Sequence, residues 1–190
     1  MRRSVEATAE TRKSIISTAA REFRKNGEKL GLADIMGAAG LTNGAFYRHF
    51  ASKEELFAES VAHALDSLGD KMEQSIAAKP DSPLATVIGV YLSCAHRDNV
   101  SGGCPLAALG SEIARAPKKV RGTLMHSYKR VVGIVAACLS TGSEEERRAT
   151  AEYILASMAG LLTMSRVVCD KDESSRILED GVRRLIQSNI

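Results

Sequence analysis

Several side chains that could bind nucleic acid lie close together in the first third of the chain. An asparagine amide can form two hydrogen bonds with adenine, and a threonine methyl can contact the methyl group of thymine. A phenol, an imidazole and an ammonium group are better suited to phosphate oxygens. These side chains belong to Thr42, Asn43, Tyr47, Arg48, His49 and Lys53.

The sequence around these residues predicts two short helices joined by a sharp turn. The first covers residues 32–39, and the second begins after Thr42 and continues to Phe50. Gly40 permits the backbone conformation of the turn, and Leu41 fills the corner between the helices. This is the layout of a helix-turn-helix, whose second helix enters a major groove by its N-terminal end. We therefore predict base contacts from Thr42, Asn43, Gly44, Ala45 and Arg48, and phosphate contacts from Tyr47, His49 and Lys53.

The remaining elements are also predicted to be helical, because apolar residues recur at helical spacing and no segment alternates for long enough to indicate a strand. Sequence patterns typical of capping boxes, Ser52 to Glu55 and Ser143 to Glu146, mark the starts of two long helices. We expect an all-α fold of about nine helices. The other helices are predicted over about residues 8–25 and 83–97, from 105, over 118–139 and from 171, with the two long ones ending near 78 and 169.

The distribution of aromatic residues indicates two domains. All four phenylalanines lie in the first 57 residues. A three-helix unit of about 60 residues needs large side chains to form a core, whereas a larger bundle can use small ones. We therefore predict an N-terminal helix-turn-helix domain of residues 1–55 and a larger helical domain of residues 56–190.

The composition excludes several other classes of protein. The chain has 190 residues, of which 44% are hydrophobic and 26% charged, as expected for a globular protein. Its longest uncharged stretch, residues 82–96, is shorter than the about 20 residues of a membrane span, and no secretory signal is evident. We therefore expect a cytoplasmic protein without a membrane partner. The four cysteines lack the spacing of a zinc site or a disulfide framework, so we expect no metal and no cofactor.

A longer pattern runs through the helix-turn-helix. It consists of Ala39-Gly40-Leu41-Thr42, Gly44, Phe46-Tyr47, His49-Phe50, Ser52-Lys53 and Leu56. With Phe23 and Gly27 upstream, it covers about residues 11–57 without a gap. In this pattern the chain resembles the TetR/AcrR-type transcriptional regulators. One position departs from the family, which commonly has a threonine where this chain has Leu30, so we expect the phosphate contact of the amide at the start of the second helix to be weaker or to be made differently.

The resemblance implies a ligand-responsive repressor that binds a double-stranded, palindromic operator as a homodimer and is released by a small-molecule effector. The larger domain, residues 56–190, would bind the ligand and form the dimer, and the last two helices of each copy would form a four-helix bundle with those of the partner copy. The interface residues predicted on these helices are Ile154, Leu161, Leu162, Ile177 and Leu185. The residues predicted to line the effector pocket are Tyr91, Cys104, Met125, His126, Tyr128 and Met158.

Other interpretations stay open. Cys104 lies at a predicted helix start, where backbone amides lower a thiol pKa, so the repressor could sense thiol-reactive electrophiles. The protein could be an activator, or a helical carrier of small molecules whose DNA-binding head is no longer functional. An enzyme would need a Cys-His pair as nucleophile and base, but the sequence contains no nucleophile elbow and no glycine-rich phosphate loop, so we expect no enzyme.

Overall fold

The computed structural model describes residues 2–189, with side chains from residue 6 onward. This part of the chain forms ten helices and no strand, which confirms the all-α fold. None of these helices combines the length and the low charge that crossing a membrane requires. The helices are α1 (Arg2–Asn26), α2 (Leu32–Ala38), α3 (Asn43–Phe46), α4 (Lys53–Ala78), α5 (Pro83–Tyr91), α6 (Cys94–Asp98), α7 (Pro105–Arg115), α8 (Lys118–Ala137), α9 (Glu144–Val167) and α10 (Lys171–Gln187).

The helix predicted over residues 83–97 is in fact two helices, α5 and α6. The backbone leaves the helical region at Leu92, where φ is −89° and ψ is 50°. Ser93 then caps α6, because its hydroxyl accepts a hydrogen bond of 3.2 Å from the amide of His96. The apolar spacing continues through the break, since Tyr91 and Leu92 are both buried. The sequence prediction followed that spacing and missed the cap.

The two predicted capping boxes both start helices, but only one is complete. The hydroxyl of Ser143 accepts the amide of Glu146 at 3.3 Å, and the carboxylate of Glu146 accepts the amide of Ser143 at 2.7 Å. The hydroxyl of Ser52 likewise accepts the amide of Glu55 at 3.2 Å. The carboxylate of Glu55, however, accepts the amide of Ala51 at 2.8 Å. The box at the start of α4 is therefore only half formed.

The central element of the fold is α4, which spans 26 residues, or roughly 39 Å at 1.5 Å per residue. It packs against α1 near its beginning, against α5, and against α8 over the longest contact of the structure. The buried side chains of the described residues form one continuous core from α1 to α10. A displacement of α4 would therefore change the packing of both the N-terminal and the C-terminal helices.

Candidate nucleic-acid interface and ligand cavity

The turn between α2 and α3 is a Schellman motif. Gly40 has a φ of +69°, in the left-handed region that favours glycine. Its amide donates to the carbonyl of Gly37 at 3.0 Å, and the amide of Leu41 donates to the carbonyl of Met36 at 2.9 Å. These two bonds close the end of α2 and set the direction in which the chain enters α3.

Neither helix of this motif has a side-chain cap at its N-terminus. Gly31 is the N-cap residue of α2 and makes no side-chain hydrogen bond, in line with the departure from the family pattern at Leu30. Thr42 is the N-cap residue of α3, with an extended backbone, and its hydroxyl does not bond to the helix either. The exposed Thr42 hydroxyl is therefore not used as a cap.

The short helix α3 has one buried face and one exposed face. Phe46 is 1% exposed and stacks on Phe50, with the ring centroids 5.5 Å apart, which fixes the buried face in the core. On the other face Tyr47 is 72% exposed. The predicted base and phosphate ligands within residues 42–49 thus lie on or directly beside α3, which is shorter than predicted, and with it form what we call the surface around α3. Exposed on this surface are Thr42, Asn43, Gly44, Tyr47 and Arg48, with Ala45 and His49 half-buried.

Lys53, the remaining predicted phosphate ligand, is the first residue of α4. Its ammonium nitrogen lies 3.5 Å from a carboxylate oxygen of Glu28, and its side chain is 27% exposed. A phosphate would therefore have to compete with this carboxylate for the ammonium group.

Arg12 of α1 joins the segment that follows α3 to the first turns of α4. Its guanidinium forms a bidentate ion pair with Glu59, at 2.6 and 2.7 Å, and donates to the carbonyl of His49 at 3.3 Å. It also lies 4.6 Å from the centre of the Phe50 ring, within the range of a cation–π interaction. The sequence analysis missed Arg12, because its partners lie 37 or more positions away and no local pattern links them.

A cavity of about 290 Å³ lies between α4, α5 and α6. This volume is near the lower end of the range for small-molecule sites. Three larger clefts on the described surface have a greater polar share of their walls than this cavity has. A more open cleft of about 530 Å³ between α1 and α4 is similarly apolar. The lining of the cavity between α4, α5 and α6 includes Leu68, Met72, Val87 and Val90 as apolar groups, and Lys71, Tyr91, His96 and Asn99 as groups with polar atoms.

The structure does not bring the six predicted pocket residues together. Tyr91 is the only one of them in the lining of this cavity. Cys104 and Met158 are fully buried in the core, Tyr128 is half-buried on α8, and Met125 and His126 are exposed on that same helix. The prediction is therefore corrected for Met125 and His126. Helical spacing identified residues of suitable chemistry, but it does not tell which neighbouring helix covers each face.

His96 is held as a neutral imidazole beside the cavity. Its Nδ1 lies 2.7 Å from the carbonyl oxygen of Tyr91, and its Nε2 accepts the amide of Cys104 at 2.9 Å. The proton must therefore be on Nδ1. Burial lowers the pKa of His96, which favours the neutral form that this arrangement requires.

Residues 99–104, which we call the covering loop, connect the cavity to α1. Arg24 of α1 donates from Nε to the carbonyl of Ser101 at 2.6 Å, and Lys71 of α4 donates to the carbonyl of Gly102 at 2.9 Å. Burial lowers the pKa of Arg24 to about 10, so its guanidinium stays protonated at neutral pH. The loop is thus held through adjacent carbonyls by side chains from two different helices.

We predict that Gly103→Ala destabilises the protein. A Cβ atom at position 103 would lie 2.7 Å from Nε2 of His96 and 2.9 Å from the backbone oxygen of Asn99, so the loop would have to shift. The expected loss is about 1–3 kcal/mol in the free energy of unfolding, measured by urea denaturation. Gly110→Ala is the matched control, because a Cβ there meets no described atom within 4 Å and alanine favours the helix. Equal stability of the two variants would contradict the prediction.

Cys104 is poorly suited to react with electrophiles. It is completely buried, and burial raises the pKa of its thiol, although the adjacent Tyr91 hydroxyl and the backbone amides at the start of α7 act in the opposite direction. The thiolate is the reactive form, and it is disfavoured here. Within the described residues no three potential ligands come together as a metal site, either at this cysteine or elsewhere.

The residues predicted for a dimer interface lie mainly inside the protomer. Ile154 and Leu162 of α9 have no exposed surface, Leu185 of α10 is 6% exposed, and Leu161 and Ile177 are half-buried. A side chain without accessible surface cannot contact a second molecule, so the prediction is corrected for Ile154 and Leu162, while Leu185 has only a small exposed area. These residues belong to the face of α9 and α10 that the same chain covers.

The other face of α9 carries large apolar residues in contact with solvent. Tyr153, Met164 and Val167 are 63%, 50% and 65% exposed. Gly160 is also exposed, and a Cβ atom there would meet no described atom within 4 Å. Because 153, 160, 164 and 167 recur at helical spacing, these four residues form one stripe, which we call the α9 stripe.

Two protein-family models match the chain. One is described as "Bacterial regulatory proteins, tetR family" and matches residues 15–60. The other is described as "Tetracyclin repressor-like, C-terminal domain" and matches residues 82–180, more than half of the chain. The two matches cover the surface around α3 and the cavity with the α9 stripe, respectively, apart from the part of the cavity wall that α4 supplies.

Similar proteins are regulators as well. The chain is 48% identical over 69 residues to the HTH-type transcriptional regulator TtgR of Pseudomonas putida, covering 36% of this chain and 31% of that protein. It is 33% identical over 87 residues to the HTH-type transcriptional regulator AcrR of Shigella flexneri, covering 45% and 40%. The chain thus matches less than half the length of these curated relatives. The fold is similar to that of a TetR transcriptional regulator from Chloroflexus aurantiacus, with a TM-score of 0.76, 21% identity and coverage of 95% and 94%.

Proposed function

Because this chain belongs to the TetR family of bacterial transcriptional regulators, a family of DNA-binding proteins rather than enzymes, we propose that it is a ligand-responsive repressor. It binds a palindromic operator as a homodimer in the cytoplasm and leaves it when a small molecule occupies the cavity. The observation that carries this proposal is the exposed surface around α3. Polar side chains lie at this surface, and the buried side of the helix is held in the core by Phe46 and Phe50.

DNA binding and effector binding belong to different parts of the chain, which α4 connects. Residues 1–55 form the DNA-binding head, in which Thr42, Asn43 and Arg48 read bases while Gly44 and Ala45 let the backbone approach them. Tyr47, His49 and Lys53 contact phosphates. Residues 56–190 hold the effector and form the dimer. Arg12 of α1 connects these two parts, because it pairs with Glu59 of α4 and also donates to the carbonyl of His49, three residues after α3.

The α9 stripe is the proposed centre of the dimer interface. Large apolar side chains are usually covered, and a contiguous exposed stripe of them is typical of a protein interface. The small residue Gly160 allows a second helix to approach closely. A twofold axis through this region would place the same stripe of both copies face to face.

Release follows from a shift between two states of the dimer. One state spaces the two α3 surfaces to match successive major grooves, which are ~34 Å apart, and the other does not. An effector that prefers the second state by a few kcal/mol empties the operator. The covering loop and α4 both connect the cavity to the head, through Arg24 and through the continuous core.

Lys53 offers a test of the phosphate contacts. We expect Lys53→Ala to weaken binding to all DNA sequences alike, and to reduce the slope of log affinity against log salt by about 0.9 for each lost phosphate contact. Glu28→Gln removes the carboxylate that holds the ammonium group, so we expect it to strengthen binding to all sequences. Titrations of duplex DNA at several salt concentrations measure both effects.

The two variants are expected to change DNA affinity in opposite directions, although each removes one partner of the same ion pair. Each is therefore a control for the other. If Lys53 had only a structural role, breaking the pair from either side would change DNA affinity in the same direction. Such a result would contradict the assignment of Lys53 to phosphate.

A further inference from the structure

We propose that the effector of this cavity is a small molecule with an apolar body and one carboxylate, and that the carboxylate takes the ammonium group of Lys71 from the covering loop. The inference rests on the proposed role of the cavity as the effector site. It adds the chemical class of the ligand and the first contact that the ligand would change.

The volume and the lining residues of the cavity limit the size and the polarity of the ligand. A volume of about 290 Å³ corresponds to about ten water molecules in the liquid, at ≈ 30 Å³ each, and so to a ligand of roughly 10 to 15 non-hydrogen atoms. The apolar wall formed by Leu68, Met72, Val87 and Val90 favours a hydrocarbon or aromatic body. Val90 is 52% exposed at the cavity, so a bound apolar group would also cover a surface that water contacts now.

The charged residues around the cavity indicate which charge the polar group of the ligand carries. Lys71 is the only charged side chain among the described residues that line it, and none of these is acidic. The acidic residues of α4 beside Lys71, Asp70 and Glu73, are paired with Arg130 on α8, at 2.7 and 2.6 Å. An anion would therefore meet an exposed cation beside an apolar wall, without a competing carboxylate in the lining.

A second cation increases the positive potential on the inner side. Arg166 of α9 donates to the carbonyls of Arg97 and His96, both at 3.0 Å, and is itself half-buried. The pKa of His96 is lowered mainly by burial, and the charges of Arg166 and Lys71 lower it further. Both cations thus act on the same wall of the cavity, and both favour a negative ligand over a positive one.

The same contact connects the ligand to the DNA-binding head. Lys71 now donates to the neutral carbonyl of Gly102, and a carboxylate is a stronger acceptor for an ammonium group than a carbonyl is. When Lys71 turns to the ligand, the covering loop loses that anchor. The adjacent carbonyl, that of Ser101, holds Arg24 of α1, so the change reaches the helix that supports α3 through Arg12.

Binding of matched probes to the purified full chain tests the proposal. The probes are 4-butylbenzoate with 4-butylbenzamide, and octanoate with octanamide. Within each pair the only difference is one group of similar shape, a negatively charged carboxylate or a neutral amide. Isothermal titration calorimetry at pH 7 is expected to show that at least one carboxylate binds about tenfold or more tighter than its amide. Lys71→Met should remove that preference. Lys79→Met, the same change at an exposed position after α4 and outside the cavity, should retain it.

Three results would overturn the proposal: equal affinity for acid and amide, a preference that survives in Lys71→Met, or no binding of any of the four probes. Circular dichroism of Lys71→Met verifies that the variant is folded, as expected for an exposed side chain. The titration contains no DNA. Failure of the protein to bind DNA would therefore refute the proposed function and leave the carboxylate preference standing, whereas loss of the preference alone would refute only this inference.

Discussion

Replacing Met164 by arginine is expected to make the protein monomeric and to lower its affinity for a palindromic operator by about 10³-fold. Met164 is half exposed at the middle of the α9 stripe. In an interface between identical copies every residue near the twofold axis occurs twice, so the substitution would bury two like charges without partners. A monomer binds one half-site and loses the contribution of the second.

Met125→Arg is the control for this variant. Met125 is also a methionine on a helix surface, 40% exposed, but it lies on α8, outside the stripe. Sedimentation velocity should show a dimer for Met125→Arg and a monomer for Met164→Arg, with operator affinity following the same order. If Met164→Arg stays dimeric, the α9 stripe is not the interface.

Asn43→Ala is expected to lower operator affinity because each half-site loses one base contact, at one defined base pair. Asn43 is exposed in the first turn of α3, the end that enters a major groove. A bidentate amide contact discriminates against the wrong base by ≈ 1–3 kcal/mol, and a dimer loses two such contacts, so the operator should lose about 2–6 kcal/mol. Affinities for operators with each base pair changed in turn measure the effect.

The pattern of the loss matters more than its size. Preference should relax at the position read by Asn43 and stay unchanged at the others. Asn26→Ala removes the same amide from the exposed end of α1 and should leave every position unchanged. A loss for Asn43→Ala that is uniform over all positions would show that this residue does not read a base.

Features set by neighbours in the chain could be predicted from the sequence. Gly40 predicted the turn, and the turn is a Schellman motif. Ser143 and Glu146 predicted the start of α9 to the residue, because a capping box needs only side chains three positions apart. The residues that we predict to contact DNA lie close together for the same reason. They are near neighbours in the chain, on both sides of the stacked pair Phe46 and Phe50, and their contacts with DNA stay a prediction.

Features that depend on distant parts of the chain could not be predicted. The cavity is formed where α5 ends at Tyr91 and α6 begins, a break that apolar spacing conceals. The cation of the cavity, Lys71, cannot be distinguished by sequence from an ordinary surface lysine. Only the folded structure shows that its ammonium group donates to the carbonyl of Gly102 in the covering loop. On α9 the sequence showed apolar residues on more than one side. Only packing decides that Ile154 faces the core of its own protomer and Met164 faces solvent.

Selection of bound DNA from a random duplex pool tests the central claim most directly, namely that the α3 surfaces of two copies read successive major grooves. The account predicts enrichment of an inverted repeat whose half-sites lie one helical turn, about 10 base pairs, or a multiple of it apart. It also predicts that Asn43→Ala loses the preference at one position in each half. Enrichment of a single unrepeated site, or no enrichment at low salt, would contradict the account.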